Sequence, residues 1–469
     1  MIYKVKIQNS LILYTNGGVQ MTRDMTKGNI ISHILLYSLP MLAGNLFTQL
    51  YNAADCMIVG SINGKEALAA IGAAGPVMNI LLFFIIGISM GSSILMSNHY
   101  GAGRLDHLKQ QLLTSLLGSM IFTVIIGIIT FIFCPLFLRW IKTPEQVIPQ
   151  AAAYLKIIMF GLLFSCICQI LSAGFRAVGN SRLPFYALLI STFINIGLDV
   201  LLVGLFKMGV KGAAAATVVS QAVSAIICIS YLYWKEPVLH FTRKELKMDA
   251  ALFKVTLQFS SVPAIQQTIL YGGRILVQAV VNSLGVDAVA AFNVTSIIDN
   301  YVLEPGNSLA ASLTVFTAQN DGAGKKERIR TGLLITLLTG SVISILTALL
   351  VYHNCELLIG LFLARKDLSV VKPGCRYLKV ISYGYILTTF CNSFQGLFRG
   401  LGLLKITLIA TIIQIPIRIA VSWFLAGTLG IGGISVGMIA GWIFMISYEG
   451  FMIKASLNCR KRAADYFSV

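Results

Sequence analysis

Long apolar stretches alternate with short polar ones along almost the whole chain. The apolar windows fall near 34–59, 68–97, 112–138, 152–174, 184–206, 212–233, 252–283, 287–317, 332–359, 375–396, 404–426 and 431–453. An α-helix needs about 20 such residues to cross a bilayer. The runs are continuous rather than alternating, which excludes a β-barrel. Many carry no polar stripe, as befits helices surrounded by lipid and other helices. The pattern predicts an all-α integral membrane protein with 12 transmembrane helices and short loops.

Composition agrees. Of 469 residues, 57% are hydrophobic and 12% charged, against roughly 45–50% and about 25% in soluble domains. An ordinary soluble enzyme, a disordered chain and a small disulfide scaffold are excluded. The net charge of +18 is compatible with nucleic acid, but it sorts by loop. Twelve spans put both termini on one side, and that side carries 23 Lys and Arg against 10 on the other. This is a positive-inside pattern, so both termini are expected in the cytoplasm and the protein in the cytoplasmic membrane. No nucleic-acid partner is expected, since no aromatic-plus-basic motif accompanies the charge.

The sequence repeats itself. NHYGAGRLDHLK (98–109) returns as NDGAGKKERIR (320–330), and an Ala-rich run precedes each GAG by 34 residues. FRAVGNSR (175–182) returns as FRGLGLLK (398–405), and GVKGAA (209–214) as GIGGIS (430–435). The offsets are 221 and 223 residues. Spans 1–6 and 7–12 are therefore read as two copies of one unit. An even number of spans makes the copies parallel, with an axis along the membrane normal. The expected organisation is an N-terminal segment (1–27), an N-lobe (28–233), a linker (234–251), a C-lobe (252–457) and a tail (458–469). Two such lobes imply a central cleft and alternating access.

Charges inside spans are functional hypotheses by default and cost about 2.5–3.5 kcal/mol each at a helix centre. Asp55 lies late in span 1 and Asp199 in span 5. Asn195 precedes Asp199 by four residues, which places both on one helix face. Thr217 on span 6 adds a hydroxyl. This all-oxygen set suits a hard cation or a proton, not zinc or copper. Two carboxylates close together in a dry bundle cannot both ionise cheaply, so a proton or Na⁺ would relieve them. Occupied and empty forms would then favour different helix arrangements. Pro40 is expected to kink span 1.

The second copy departs from the first. Asp55 maps onto Leu276, and Asn195 and Asp199 map onto Arg418 and Ser422. Arg274, Asp299, Glu304 and Arg418 are its own intramembrane charges, as substrate contacts or as an ion network. Arg274 with Glu304, or Arg418 with Asp299, could pair. Glu449 and Lys156 read as snorkelling end residues. The nine cysteines fall mostly within spans, with C-x-C at Cys166 and Cys168 but no redox C-x-x-C and no zinc spacing. The five histidines form no metal motif. Residues 11–14 are too short for a signal-peptide core, and Met21 or Met25 could serve as an alternative start.

These stretches together resemble the multidrug and toxic compound extrusion (MATE) transporters, above all the DinF-like and staphylococcal-pump-like branch. The resemblance rests on SLPMLAGNLFTQLYNAADCMIVGSINGKEALAAIGAAGP (38–76), the GAG connections, FRAVGNSRLP (175–184) and INIGLDV (194–200). It implies two V-shaped six-helix lobes that export amphipathic, usually cationic compounds in exchange for Na⁺ or H⁺. Residue by residue, the family's N-lobe cation site falls on Asp55, Asn195, Asp199 and Thr217, and its kinking proline on Pro40. If the ion is Na⁺, those four residues are its ligands. The Glu that vibrio-type pumps carry on the seventh helix is missing from QQTILYGGR (266–274), so no Na⁺ site of that kind is expected in the C-lobe.

The expected function is a secondary antiporter with no cofactor beyond its coupling ion. Its partners would be small-molecule substrates and membrane lipid, and it would work as a monomer. The nearest alternative is a flippase or exporter of lipid-linked or peptide substrates on the same scaffold. A membrane-embedded enzyme would need a nucleophile–base pair or a metal triad at membrane depth, and a channel would need repeated filter loops. The chain carries neither pattern.

Overall fold

The computed structural model describes residues 23–241, 248–362 and 368–458, with side chains there except at 52–66, 68 and 456–458. The described residues form helices α1 (Ile30–Gly101), α2 (Leu105–Trp140), α3 (Ile148–Ala177), α4 (Arg182–Asp199), α5 (Gly209–Lys235), α6 (Ala250–Asn282), α7 (Val286–Gly322), α8 (Lys326–Gly360), α9 (Leu368–Ser382), α10 (Tyr385–Gly400), α11 (Leu404–Leu429) and α12 (Ile431–Asn458), with a π-helical segment at Val200–Leu205.

Twelve helices do not map one to one onto the twelve predicted spans. α1 holds two of them, Ile30–Tyr51 and Ala69–Gly101. Ser312 Oγ on α7 donates to the Ile34 carbonyl (2.9 Å), and the other end of α1 lies against Gln319 on the same helix. Both ends of α1 therefore reach one end of α7, so its two spans run antiparallel. The predicted span 375–396 is instead broken into α9 and α10. The break falls at Gly384, where a Cβ would strike Ile439 and Trp442 of α12.

Nine helical segments among the described residues are long and apolar enough to cross a membrane; α6, α7, α9 and α10 fall short. Those four carry many of the second half's polar residues, among them Gln266, Asp299, Glu304, Gln395 and Arg399. The apolar residues left exposed lie on outward helices. On α2 they include Ile121, Ile125, Ile128 and Ile132; on α8 they include Leu334, Leu338, Val342 and Leu346. These stripes recur every three or four residues and face lipid.

The two largest cores each stay within one half, one within residues 67–241 and the other within 277–445. A smaller one crosses between the halves, packing Met25, Ile34 and Tyr37 against Leu309, Leu313 and Phe316. The lobes join where the repeat folds back on itself. Gly101 has no room for a Cβ because of the Gln319 backbone, and Gly322 has none because of the Asn98 backbone. Both pairs are equivalent under the 221-residue offset, so the pseudo-twofold axis passes between them. The turns that follow match bond for bond. Ala102 N–H donates to Asn98 O and Arg104 N–H to His99 O; Ala323 N–H donates to Gln319 O and Lys325 N–H to Asn320 O. Gly103 and Gly324 take φ values of 71° and 72°, in the left-handed region that favours glycine.

The chain before α1 crosses this seam. Arg23 N–H donates to Val178 O in the N-lobe (3.1 Å). Met25, fully buried, donates through its N–H to Gln319 Oε1 (3.0 Å) and accepts from Arg328 (3.1 Å). Lys325 Nζ donates to Thr26 O (2.7 Å). The segment thereby ties both lobes together at their shared end.

Glu236, just past α5, is buried at 3% exposure, and burial pushes its carboxyl up to about 7 from an ordinary 4.5. A folded-state value above the unfolded one favours folding fully below about 4.5. That contribution is lost as pH rises through about 7, and each unit is worth about 1.4 kcal/mol. Thermal unfolding in detergent should therefore show stability falling between pH 5 and 8. Glu236→Gln should flatten that slope, and an unchanged slope would assign it to other groups.

Candidate functional site

A cavity of about 370 Å³ opens inside the N-lobe, walled by α1, α3, α4 and α5. Its apolar wall includes Met41, Phe185 and Leu188. Its polar wall includes Gln169, Arg176, Thr192, Asn195 and Thr217. Pro40 lies inside α1 and lines the same space.

The polar end is built by helix register. Asn195 and Asp199 stand one turn apart on α4, at 1% and 0% exposure. The α-helix passes into the π-helical segment immediately after Asp199, a local insertion common at functional sites. The Asn195 amide is satisfied in one orientation. Its nitrogen donates to Asp199 Oδ2 (3.0 Å) and Tyr51 Oη (3.3 Å), and its oxygen accepts from Thr217 N–H (3.1 Å). The Thr217 hydroxyl donates to Ala213 O (3.0 Å). Asn195, Asp199 and Thr217, predicted from two stretches of sequence, thus share one cluster on α4 and α5. Asp55 lies outside the described side chains. Tyr51, one turn before it on α1, reaches the cluster.

Tyr51 was not among the predicted residues, although its spacing from Asp55 is the i, i+4 signal that joined Asn195 to Asp199. Arg176 was missed for another reason. It ends an apolar run and reads as a loop cation, yet it lines the cavity and donates to Ser89 Oγ (3.3 Å).

The C-lobe holds a different arrangement. Asp299 on α7, at 5% exposure, accepts from Tyr377 Oη (2.8 Å) and Tyr385 Oη (2.6 Å). Tyr377 also reaches Met438 Sδ (3.1 Å). Under the repeat offsets Arg418 stands where Asn195 does, Ser422 where Asp199 does and Met438 where Thr217 does. The second copy has rebuilt the same place with its carboxylate supplied from α7.

The two charge pairings read from spacing do not form among the described residues. The ion pairs there include Lys27–Asp24, Arg139–Glu145 and Arg330–Glu327. Glu304 instead accepts from Asn45 Nδ2 on α1 (3.0 Å), a contact between the lobes, and Arg274 is exposed. Glu449 does not snorkel. It is fully buried and accepts from Gln395 Nε2 (2.6 Å), which continues to Gln266 and Arg399. Its position near a span end suggested exposure, but the packing of α12 buries it beside Gln395 of α10.

The MatE family model matches residues 40–201 and 263–424, one match in each half of the repeat. The chain belongs to the MATE family. Family members are transporters, and the two-lobe, 12-span architecture is theirs. This MATE transporter is 31% identical over 392 residues to "Probable multidrug resistance protein YoeA" of Bacillus subtilis (strain 168), covering 81% of this chain and 83% of that one. It is 25% identical over 423 residues to "Probable multidrug resistance protein YpnP" of the same organism, covering 90% and 94%. A MATE crystal structure described as the bent conformation superposes with a TM-score of 0.87 at 22% identity, over 94% of this chain and 98% of that chain. At that identity the likeness concerns the fold.

Proposed function

We propose that this MATE transporter is a secondary antiporter of the cytoplasmic membrane that exports amphipathic, cationic compounds in exchange for Na⁺ or H⁺. Asp199 and Asp55 bind the coupling ion, with Asn195 and Thr217 as neutral oxygen ligands. The observation that carries this reading is the fully buried Asp199, bonded to Asn195, which lines the cavity. An anion held at membrane depth is costly, and a bound cation or proton removes that cost. Filling the site therefore favours one arrangement of the lobe and emptying it another. The names of the two Bacillus relatives support multidrug export as the task. Both termini are placed in the cytoplasm, as the loop charges favour.

Neutral oxygens around a carboxylate suit coordination of Na⁺, whereas a proton needs the carboxylates alone. Replacing Na⁺ with choline at constant pH, outside right-side-out vesicles loaded with a cationic dye, separates the two. Loss of efflux in choline identifies Na⁺. Efflux that persists in choline and collapses with the pH gradient identifies H⁺. Efflux indifferent to both gradients would overturn the antiport reading.

A further inference from the structure

Cys168 on α3 and Cys228 on α5 face each other with their sulfurs 3.8 Å apart, and both thiols are free. Ser224 Oγ lies 3.2 Å and Ser172 Oγ 4.0 Å from the Cys168 sulfur. Cys168 lines the N-lobe cavity, and Cys228 is fully buried behind it. The pair belongs to this lobe alone. Under the repeat offsets its counterparts are Cys391, whose thiol is directed to Trp442 O (3.8 Å), and Glu449, which is bonded to Gln395. Nothing in the coupling chemistry uses the two sulfurs.

We propose that Cys168 and Cys228 form a dithiol site, in the wall of the cavity, for monosubstituted trivalent arsenicals. Such a compound carries one organic group and one arsenic with two exchangeable bonds, so two sulfurs complete it and a third would be surplus. Thiols are soft ligands and select soft centres over hard ones. Two sulfurs bound to one pyramidal arsenic, with bonds of about 2.3 Å as in metal–thiolate sites and angles of roughly 95–105°, lie about 3.4–3.6 Å apart. A small side-chain rotation therefore closes the pair on one atom. With an arsenic oxide, two As–S bonds form and the As=O bond breaks. Both thiol protons leave with the oxygen as water. No atom changes oxidation state, so no oxidant is needed. Cys168 reacts first because it faces the cavity, and Cys228 then closes the ring. The organic group stays in the cavity, whose wall includes Met41, Phe185 and Leu188.

Phenylarsine oxide is the probe, used on the purified full chain carrying Cys355→Ser. That change removes one partner of a second interacting thiol pair among the described residues, Cys355 with Cys375. The expected result is a single equivalent bound, released by a dithiol and resistant to a monothiol. Adding Cys168→Ser or Cys228→Ser should abolish the dithiol-specific adduct. Each of these variants keeps one sulfur of the pair, and maleimide labelling after denaturation should count seven thiols against eight in the Cys355→Ser protein, confirming that the remaining one was present. Binding is read without transport, so its failure is separate from failure of the antiport reading. An adduct that survives either serine variant, or that a monothiol releases as readily as a dithiol, would overturn the proposal and leave the cysteines as packing residues.

Discussion

Asp199→Asn is expected to abolish gradient-driven efflux while leaving the protein folded and able to bind its dye. The carboxylate sits at 0% exposure and accepts from Asn195 (3.0 Å). Asparagine has the same shape, and its side-chain oxygen can still accept that bond. What disappears is the charge that a coupling ion neutralises. Burying a charge is more costly than burying an amide, so stability should be unchanged or higher. Coupling free energies of about 1–3 kcal/mol correspond to roughly 5- to 150-fold effects, and the loss of ion-driven efflux should fall at the upper end. Asp55→Asn should behave alike. Thr217→Ala should raise the Na⁺ concentration needed for half-maximal efflux if Na⁺ is the ion, and change little if it is H⁺. The measurement is dye efflux from right-side-out vesicles, beside dye binding to purified protein. Full efflux with Asp199→Asn would remove this residue from the coupling site.

The second large effect concerns the seam. Gly101→Ala and Gly322→Ala should each shift the transporter away from the arrangement in which this end of the lobes is closed. In both cases the new methyl meets backbone of the opposite lobe, Gln319 in one and Asn98 in the other. Backbone cannot move aside as the end of a flexible side chain can. Overpacking of this kind costs about 1–3 kcal/mol, and 1.4 kcal/mol is a factor of ten in an equilibrium. The penalty acts only while the lobes touch here, so it redistributes states rather than unfolding the chain. Pseudo-symmetry requires the two variants to behave alike. Distances between spin labels on α2 and α8 would report the opening, and transport should fall with it. A label distribution identical to the unsubstituted protein in both variants would show that these glycines do not set the closed state.

Asn195 with Asp199 was legible because two polar residues one turn apart in an apolar run leave a signal within a single helix. Asp55 stood out as a charge inside an apolar span and Thr217 as a hydroxyl on span 6, and the family resemblance joined them to that pair. Tyr51, Arg176 and Glu449 were not legible, because their roles depend on which helix lies opposite. Arg176 and Glu449 sit near span ends, where sequence alone reads exposure. Neighbouring helices bury Glu449, and a cavity wall claims Arg176. The expected Arg–acid pairs failed for the same reason. Spacing along a helix gives a face, and it says nothing about the tyrosines that approach Asp299 from α9 and α10.

The sequence by itself determined the membrane class, the twelve spans and the duplication, since hydropathy and repetition are properties of consecutive residues. It also marked, through paired glycines at a constant offset, where the two copies would match. Only the tertiary structure decided that those glycines meet across a pseudo-twofold seam and that the chain before α1 straps it. The tertiary structure alone likewise set Cys168 against Cys228, 60 residues apart in sequence. Such encounters are fixed by helix packing, a sum over many weak contacts that no local window of residues contains.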